Sequence, residues 1–352
     1  MTRSGRLDKM VNKAEYYFKR ARQVARDEGA SELIRQTKKR LNVGPISNRV
    51  ATFDPLAVTT QGKTNRTSPF KELRVGVIMD EFSLLAWGEE FTIVPILPGE
   101  ESKLQSQELD LFLAESAWNG NGGAWKYQLT GSSAPSTALS VIVEKCKQLG
   151  IPTVFWNKED PPHFEEFLDT ARLFDFVFTS DVNLVGAYKR ALGHDRVWPL
   201  SFAAQPTIHN PIRTDMPNYQ KGDVAFAGMY FAHKYPERRE QMELLLGGAM
   251  DASGHLKDGL RIFSRFEGRD ERYLFPQPFS QRVVGSLPYR KMISAYKNFK
   301  VFLNVNSVVD SPSMCSRRVF ELLASGTPVV STWSKALEKT FPSTELVLVD
   351  SR

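Results

Sequence analysis

The sequence predicts an α/β protein: two parallel-sheet, Rossmann-like halves preceded by a basic helical arm. Three observations predict it. Short apolar runs alternate with helical stretches through residues 72–205, the pattern breaks at residues 203–222, and it then restarts and continues to the end. Short apolar runs mark strands buried on both faces, and strands alternating with helices pair in parallel. A chain of 352 residues is long enough for two such cores.

The first element is the arm, residues 1–41. Leu7, Met10, Val11, Ala14, Phe18, Ala21, Val24 and Ala25 recur at three- and four-residue steps, which gives a helix with one apolar stripe. Residues 1–40 hold twelve Lys/Arg against five Asp/Glu, while the whole chain carries +6, so the basicity belongs to this segment alone. Such a helix suits an anionic membrane surface or, equally, an apolar partner or the chain's own body. No aromatic-interleaved basic surface follows, so nucleic acid is not an expected partner. Residues 42–71, rich in Pro, Gly, Thr, Ser and Asn, are read as a linker.

The first half, residues 72–205, has strand candidates at Arg74–Met79, Phe91–Ile96, Leu109–Ala114, Thr153–Trp156, Phe176–Thr179 and Val197–Leu200. Helical stretches lie at Ser136–Leu149, His163–Leu173 and Asp181–Leu192, the last with Ser180 or Asp181 as its cap. The second half, residues 206–352, follows the proline-broken segment. It has strands at Asp223–Ala227, Arg261–Phe263, Arg282–Val284, Val301–Val305, Pro328–Ser331 and Leu346–Val349, and helices at Pro236–Leu246 and Tyr289–Asn298. A third helix carries Val319, Phe320, Leu322, Leu323 and Ala324 on its apolar side and stops at Gly326.

In parallel sheets ligands collect at the carboxyl ends of strands. In the first half those ends carry Asp80 and Glu81, then Glu115, Trp118 and Asn119, then Glu159 and Asp160. Three acidic loops at one edge suit the hydroxyls of a sugar acceptor or a general base, with Trp118 or Trp125 to stack on a pyranose. Capping of the following helices is the plain alternative for each carboxylate. Asp160, followed by two prolines, is the preferred catalytic candidate, with Glu159 beside it. In the second half Gly228 opens a turn followed by Lys234 and Arg238, and Asn304 and Asn306 end the strand before the third helix. Arg317 and Arg318 at that helix's N-terminus suit a diphosphate, and Glu321 one turn on suits two ribose hydroxyls. An ordinary i,i+4 ion pair between Arg317 and Glu321 is the alternative.

Other motifs fall short. Gln61–Thr64 has the tail of a phosphate loop but Ala57 at the first glycine position, and Gly120–Gly123 has Trp125 where a dinucleotide fingerprint needs its third glycine. Asn65–Thr67 is a bare glycosylation sequon. Cys146 and Cys315 form no disulfide framework and no metal-ligand spacing with the histidines, so neither a bound metal nor a bound cofactor is expected. With no apolar run of bilayer length and no leader-like N-terminus, the expected location is the cytoplasm, with the arm allowing a peripheral place at the inner face of the membrane.

Gly228 with Arg238 and Arg239, Pro288–Tyr296, Leu303–Asn306 and Ser316–Val329 together resemble the donor-binding half of CgeB-like glycosyltransferases, a group-1-type GT-B family. Asp80–Ser83, Glu115–Trp118 and Trp156–Asp160 look like the acceptor half that accompanies it. The resemblance covers roughly residues 72–352. It implies the GT-B fold and metal-independent transfer of a sugar from a nucleotide diphosphate sugar, the co-substrate, to a glycan or lipid-linked hydroxyl in polysaccharide synthesis. Related retaining enzymes carry a second glutamate eight residues before the one aligned with Glu321, and here that position is Ser313. GT-B chains normally continue with helices beyond the strand at Leu346–Val349, so a fragment of a longer polypeptide is also expected. Two other classes fit the same halves: a sugar-nucleotide epimerase or hydrolase, and a non-catalytic scaffold of a glycan-assembly complex.

Overall fold

A computed structural model describes residues 67–131, 134–213, 222–265 and 271–350. The arm and the linker up to residue 66 lie outside the described residues. The first half contains β1 (Arg74–Ile78), α1 (Glu81–Trp87), β2 (Thr92–Pro95), β3 (Leu111–Glu115), α2 (Thr137–Gln148), β4 (Thr153–Asn157), α3 (Phe164–Ala171), β5 (Phe176–Thr179), α4 (Val185–Leu192) and β6 (Val197–Pro199). Its six strands lie in the order β2-β1-β3-β4-β5-β6, every pair parallel. The second half contains β7 (Gly222–Gly228), α5 (Pro236–Asp251), β8 (Leu260–Ser264), β9 (Val283–Gly285), α6 (Tyr289–Tyr296), β10 (Phe299–Asn304), α7 (Arg317–Ala324), β11 (Val329–Thr332), α8 (Lys335–Thr340) and β12 (Val347–Val349). Its sheet runs β12-β11-β10-β7-β8-β9, again all parallel. The expected α/β architecture of two parallel sheets is therefore present.

Alternating side chains divide each sheet between two apolar layers. Phe112, Ala114 and Phe155 pack on one side of the first sheet, and Val75, Val77 and Leu113 on the other. In the second sheet Ala225, Ala227 and Phe302 face one layer, and Phe226, Ile262 and Leu303 the opposite one. Each fully buried Phe, Leu or Val contributes about 1.5–3 kcal/mol relative to exposure, which is what fixes the register of these strands. Cys146 and Cys315 are both buried in these layers.

Two helices go beyond the sequence reading. Asp80 and Glu81 do not sit in an open loop: Asp80 is the N-cap residue of α1 and Glu81 its first residue. The short α8 is capped by Ser334, which accepts from the Leu337 N–H. Each has less than two full turns, too short for a 3.6-residue period to stand out.

Strand order reverses between β1 and β3 in the first sheet and between β7 and β10 in the second. Such switch points open a crevice at the strands' carboxyl ends. The halves also touch. Ser313 accepts from the Val182 N–H at 2.9 Å and donates to the Ser180 carbonyl at 3.0 Å, and the Ser201 hydroxyl donates to the Ser313 carbonyl at 3.4 Å.

Candidate active site

The crevice of the second sheet holds two guanidinium groups. Arg238, in the first turn of α5, reaches the loop after β10 and donates to Ser307 Oγ at 2.8 Å. Arg318 comes from the first turn of α7. Among the described residues no carboxylate pairs with either, and the Nε of each is buried without a hydrogen-bond partner. Burial first, and the nearby Arg318 charge second, push the Arg238 guanidinium down to about 10, so it stays charged at neutral pH beside a like charge. Two cations with spare donors and no counter-anion form a ready anion site. Gly228 ends β7 beside them; a Cβ there would lie 3.7 Å from Arg238 Nη2 and only 2.9 Å from the Phe226 ring. Lys234 lies in the same loop, its ammonium 5.2 Å from the Tyr235 ring centroid.

Arg317 and Glu321 stand elsewhere than expected. Glu321 is 1% exposed and takes hydrogen bonds from Tyr289 at 2.5 Å, from Tyr296 at 3.1 Å and from Arg317. His209 Nε2 stands 3.5 Å from the same carboxylate. The i,i+4 pair is real and its carboxylate end is buried, which leaves no oxygen for a ribose and corrects the expectation for Glu321. Arg317 also donates through Nη1 to Tyr289 at 2.8 Å and stacks 3.8 Å from the Phe82 ring centroid, so the protein holds that amino group while the side chain stays 25% exposed. Burial works against its charge, but Glu321 raises it above the usual range. Because His209 Nδ1 accepts from the Gln205 N–H at 3.0 Å, a neutral imidazole carries its hydrogen on Nε2, facing the Tyr289 hydroxyl at 3.0 Å.

Asn304 and Asn306 are likewise buried. Asn306 donates to the Thr332 carbonyl at 2.7 Å, and its backbone N–H bonds Gln241 Oε1 at 2.7 Å. Asn304 donates to Asn306 and Ser331 at 3.2 and 3.0 Å. These amides tie β10, β11 and α5 together, which takes Asn306 away from a base or a sugar, a second correction, while the Asn304 Oδ1 is buried without a hydrogen-bond partner.

The first-sheet crevice is filled by a residue the sequence reading passed over. The Lys158 ammonium, 1% exposed, lies 2.9 Å from Asp80 and 3.0 Å from Glu115, with Phe82's ring centroid 4.0 Å away. Burial opposes its charge, but Glu115, Asp80 and Glu159 together hold it above the usual lysine range. Burial raises the wholly buried Glu115 carboxyl, which also accepts from the Asp80 N–H and Ser83. Burial acts the same way on Asp80, but Lys158 and the N–H groups of Gly120 and Asn119 outweigh it and lower its pKa. Asp80 and Glu115 are therefore an internal ion cluster and not an open acceptor groove. Glu81 and Asn119 are exposed beside it. Trp125 is buried with its indole N–H on the Ile96 carbonyl, whereas Trp118 is half-buried, its ring centroid 5.1 Å from that of His163.

Asp160 is fully buried. One oxygen accepts from Asn157 at 2.8 Å and Tyr188 at 3.3 Å, the other from Thr179 at 2.6 Å. An acceptor hydroxyl cannot reach it, so the expected catalytic role gives way to one of joining β4 to β5. Glu159, 30% exposed, does reach the surface. Nearby, His163 bonds Glu166 through Nδ1. Among the described residues no group of His, Cys, Asp and Glu is arranged to hold a metal ion.

Fold and site thus define a protein of two parallel α/β halves with an arginine-lined crevice at the second sheet's switch point. Residues 236–352, about a third of the chain, match the sequence family described as glycosyl transferase-like, and that stretch contains both crevice arginines. No curated protein matches the chain. Among solved structures it is similar to HepE from Anabaena in complex with UDP, at 14% identity over 79% of this chain and 78% of that one, TM-score 0.44. It is similar to the sucrose-phosphate synthase of Thermosynechococcus elongatus, at 14% identity over 85% and 78%, TM-score 0.39. A trehalose-6-phosphate synthase shares 10% identity over 71% of this chain, TM-score 0.39, and the chain spans 64% of that protein's length.

Proposed function

We propose that this chain is a GT-B glycosyltransferase, similar to the CgeB-like group, which moves a sugar from a nucleotide diphosphate sugar to a hydroxyl of a glycan or lipid-linked acceptor. The observation that carries the reading is the Arg238–Arg318 pair: two charged guanidinium groups at a switch-point crevice, without a carboxylate between them. A diphosphate is the anion that two such forks fit, and the match of residues 236–352 to a glycosyl transferase-like family points to a sugar as its other substituent. During transfer, negative charge grows on the departing diphosphate. Arg238 and Arg318, with Lys234 at the mouth, stabilise it there in the way a divalent ion does in other enzymes, which makes the reaction metal-independent. Glu159, Glu81, Asn119 and Trp118 are the first-half side chains left to meet an acceptor. The basic arm supplies a place at the inner face of a membrane, next to polysaccharide synthesis.

Calorimetric titration with UDP and other nucleoside diphosphates tests the reading. Arg238→Ala and Arg318→Ala should each weaken binding by about 1.5–3 kcal/mol, the range for a charged hydrogen bond, with the fold kept. Equal affinity in both variants and wild type would sink the anion site. Analysis of the sugar product separates transfer from epimerisation and hydrolysis.

A further inference from the structure

We infer that His163, held by Glu166, is the base that takes the proton from the acceptor hydroxyl. The inference rests on the sugar-transfer reading above and fills the place from which Asp160 is removed by its burial.

His163 stands at the N-cap of α3, just past the carboxyl end of β4, on the edge of the first sheet where ligands collect. Its Nδ1 bonds Glu166 one turn along the helix. A carboxylate there takes the Nδ1–H, so a neutral ring presents its lone pair at Nε2. Among the described residues nothing bonds that Nε2, and the side chain is 24% exposed. A nitrogen oriented by a carboxylate and left open on its other face is the arrangement that general-base chemistry needs. Trp118 stands edge-on to the imidazole and offers an apolar wall for a sugar ring.

The opposite half turns its donor-side loop towards the same corner. Lys234 and Tyr235, in the loop after β7, interact electrostatically with this corner: Lys234 with His163, and Tyr235 with both Glu166 and Glu159. Tyr235 also interacts electrostatically with Arg238. The titratable groups facing the ring are Glu166, Glu159 and Asp160 from its own half and Lys234 from the other. Burial lowers the imidazole's pKa, but Glu166 outweighs it, and the net direction is upward.

In the step itself the acceptor oxygen forms a bond to the sugar's anomeric carbon and loses its proton to His163 Nε2. The bond from that carbon to the diphosphate oxygen breaks, and its electron pair leaves with the nucleoside diphosphate, between Arg238 and Arg318. Direct displacement of this kind inverts the anomeric configuration.

The test uses the full chain and a panel of uridine, guanosine and adenosine diphosphate sugars, with diphosphate release to water or simple glycosides as the readout. His163→Asn keeps a good N-cap residue and should cut release by about 10²–10⁴-fold, with unchanged nucleoside diphosphate affinity. Glu166→Gln removes the charge that holds the imidazolium, so the acid limb of its pH–rate profile should move to lower pH while the maximum falls. A merely structural role would leave that limb in place. Full-speed release by His163→Asn, an unmoved limb in Glu166→Gln, or a retained product overturns the assignment and leaves the transfer reading standing. If the wild-type chain binds none of the nucleoside diphosphates, or binds one and turns over no sugar, the transfer reading falls and this assignment falls with it.

Discussion

Two buried titratable groups give this protein opposite pH dependences. Burial, above all, pushes the Asp160 carboxyl from 3.8 up to about 7. The folded state therefore favours its protonated form, and the stability it contributes is complete below about pH 4 and lost as the pH rises through about 7. Burial pushes His209 the other way, from 6.5 to about 4, so its contribution is complete above about pH 6.5 and lost as the pH falls through about 4. Asp160→Asn should consequently gain stability relative to wild type between pH 4 and 7, by on the order of a few kcal/mol, in urea unfolding followed at several pH values. A constant difference across that range would mean that Asp160 is ionised in the fold. Glu321 supports a second prediction of the same kind. Its removal strands the Arg317 charge among two tyrosine hydroxyls and His209, so Glu321→Ala should cost about 3–5 kcal/mol of stability, the range for breaking a buried ion pair. A loss under about 1 kcal/mol would return Glu321 to the role of an accessible ligand.

At the scale of elements, α7 was the most legible part of the molecule. Its apolar side, its length and its stop at Gly326 follow from the spacing of Val319, Leu322 and Leu323 and from the one residue that tolerates a φ of +68°. Gly326→Ala should cost about 1–2 kcal/mol in the same unfolding assay, because the left-handed backbone is strained for alanine and Pro211 Cβ lies 3.0 Å from the new methyl. A neutral substitution would show that the turn relaxes freely. The buried strands were also legible, since a short, mainly apolar run between helical stretches has few other uses. The side chains that fill the crevices were not. Arg317 and Glu321 share a face by spacing alone, but what buries them is Tyr289, Tyr296 and His209, which arrive from other elements. Lys158 sits in an acidic loop that resembles a solvated one until β1 and β3 bring Asp80 and Glu115 against it. Asp160 failed for the same reason: strand ends expose backbone, but a threonine and a tyrosine on neighbouring elements decide whether the side chain faces out.

On the scale of the whole molecule, what matters is how the two sheets meet. Deleting residues 1–40 should abolish salt-sensitive sedimentation with anionic liposomes while nucleotide binding stays intact, because the surplus positive charge lies there and the crevice arginines do not. A full chain that ignores such liposomes at low salt would make the arm a packing helix. Among the described residues, Phe82 is one side chain that joins the two halves. Its ring centroid lies 4.0 Å from the Lys158 ammonium of its own half and 3.8 Å from the Arg317 guanidinium of the other, with Tyr289 edge-on at 6.2 Å. Each cation on the ring contributes about 0.5–2 kcal/mol, and both cations keep their carboxylate partners if the ring is removed. Phe82→Ala should therefore leave both cores folded yet weaken the contact between them. With the Ser313 bonds to Val182, Ser180 and Ser201 remaining, domain movement becomes the default expectation. The measurable result is a larger radius of gyration in X-ray scattering and faster proteolysis in residues 203–222, with circular dichroism unchanged. Saturating UDP should reverse the expansion if the diphosphate bridges Arg238 and Arg318 to the first half; an expansion that UDP leaves untouched would place the nucleotide on the second half alone.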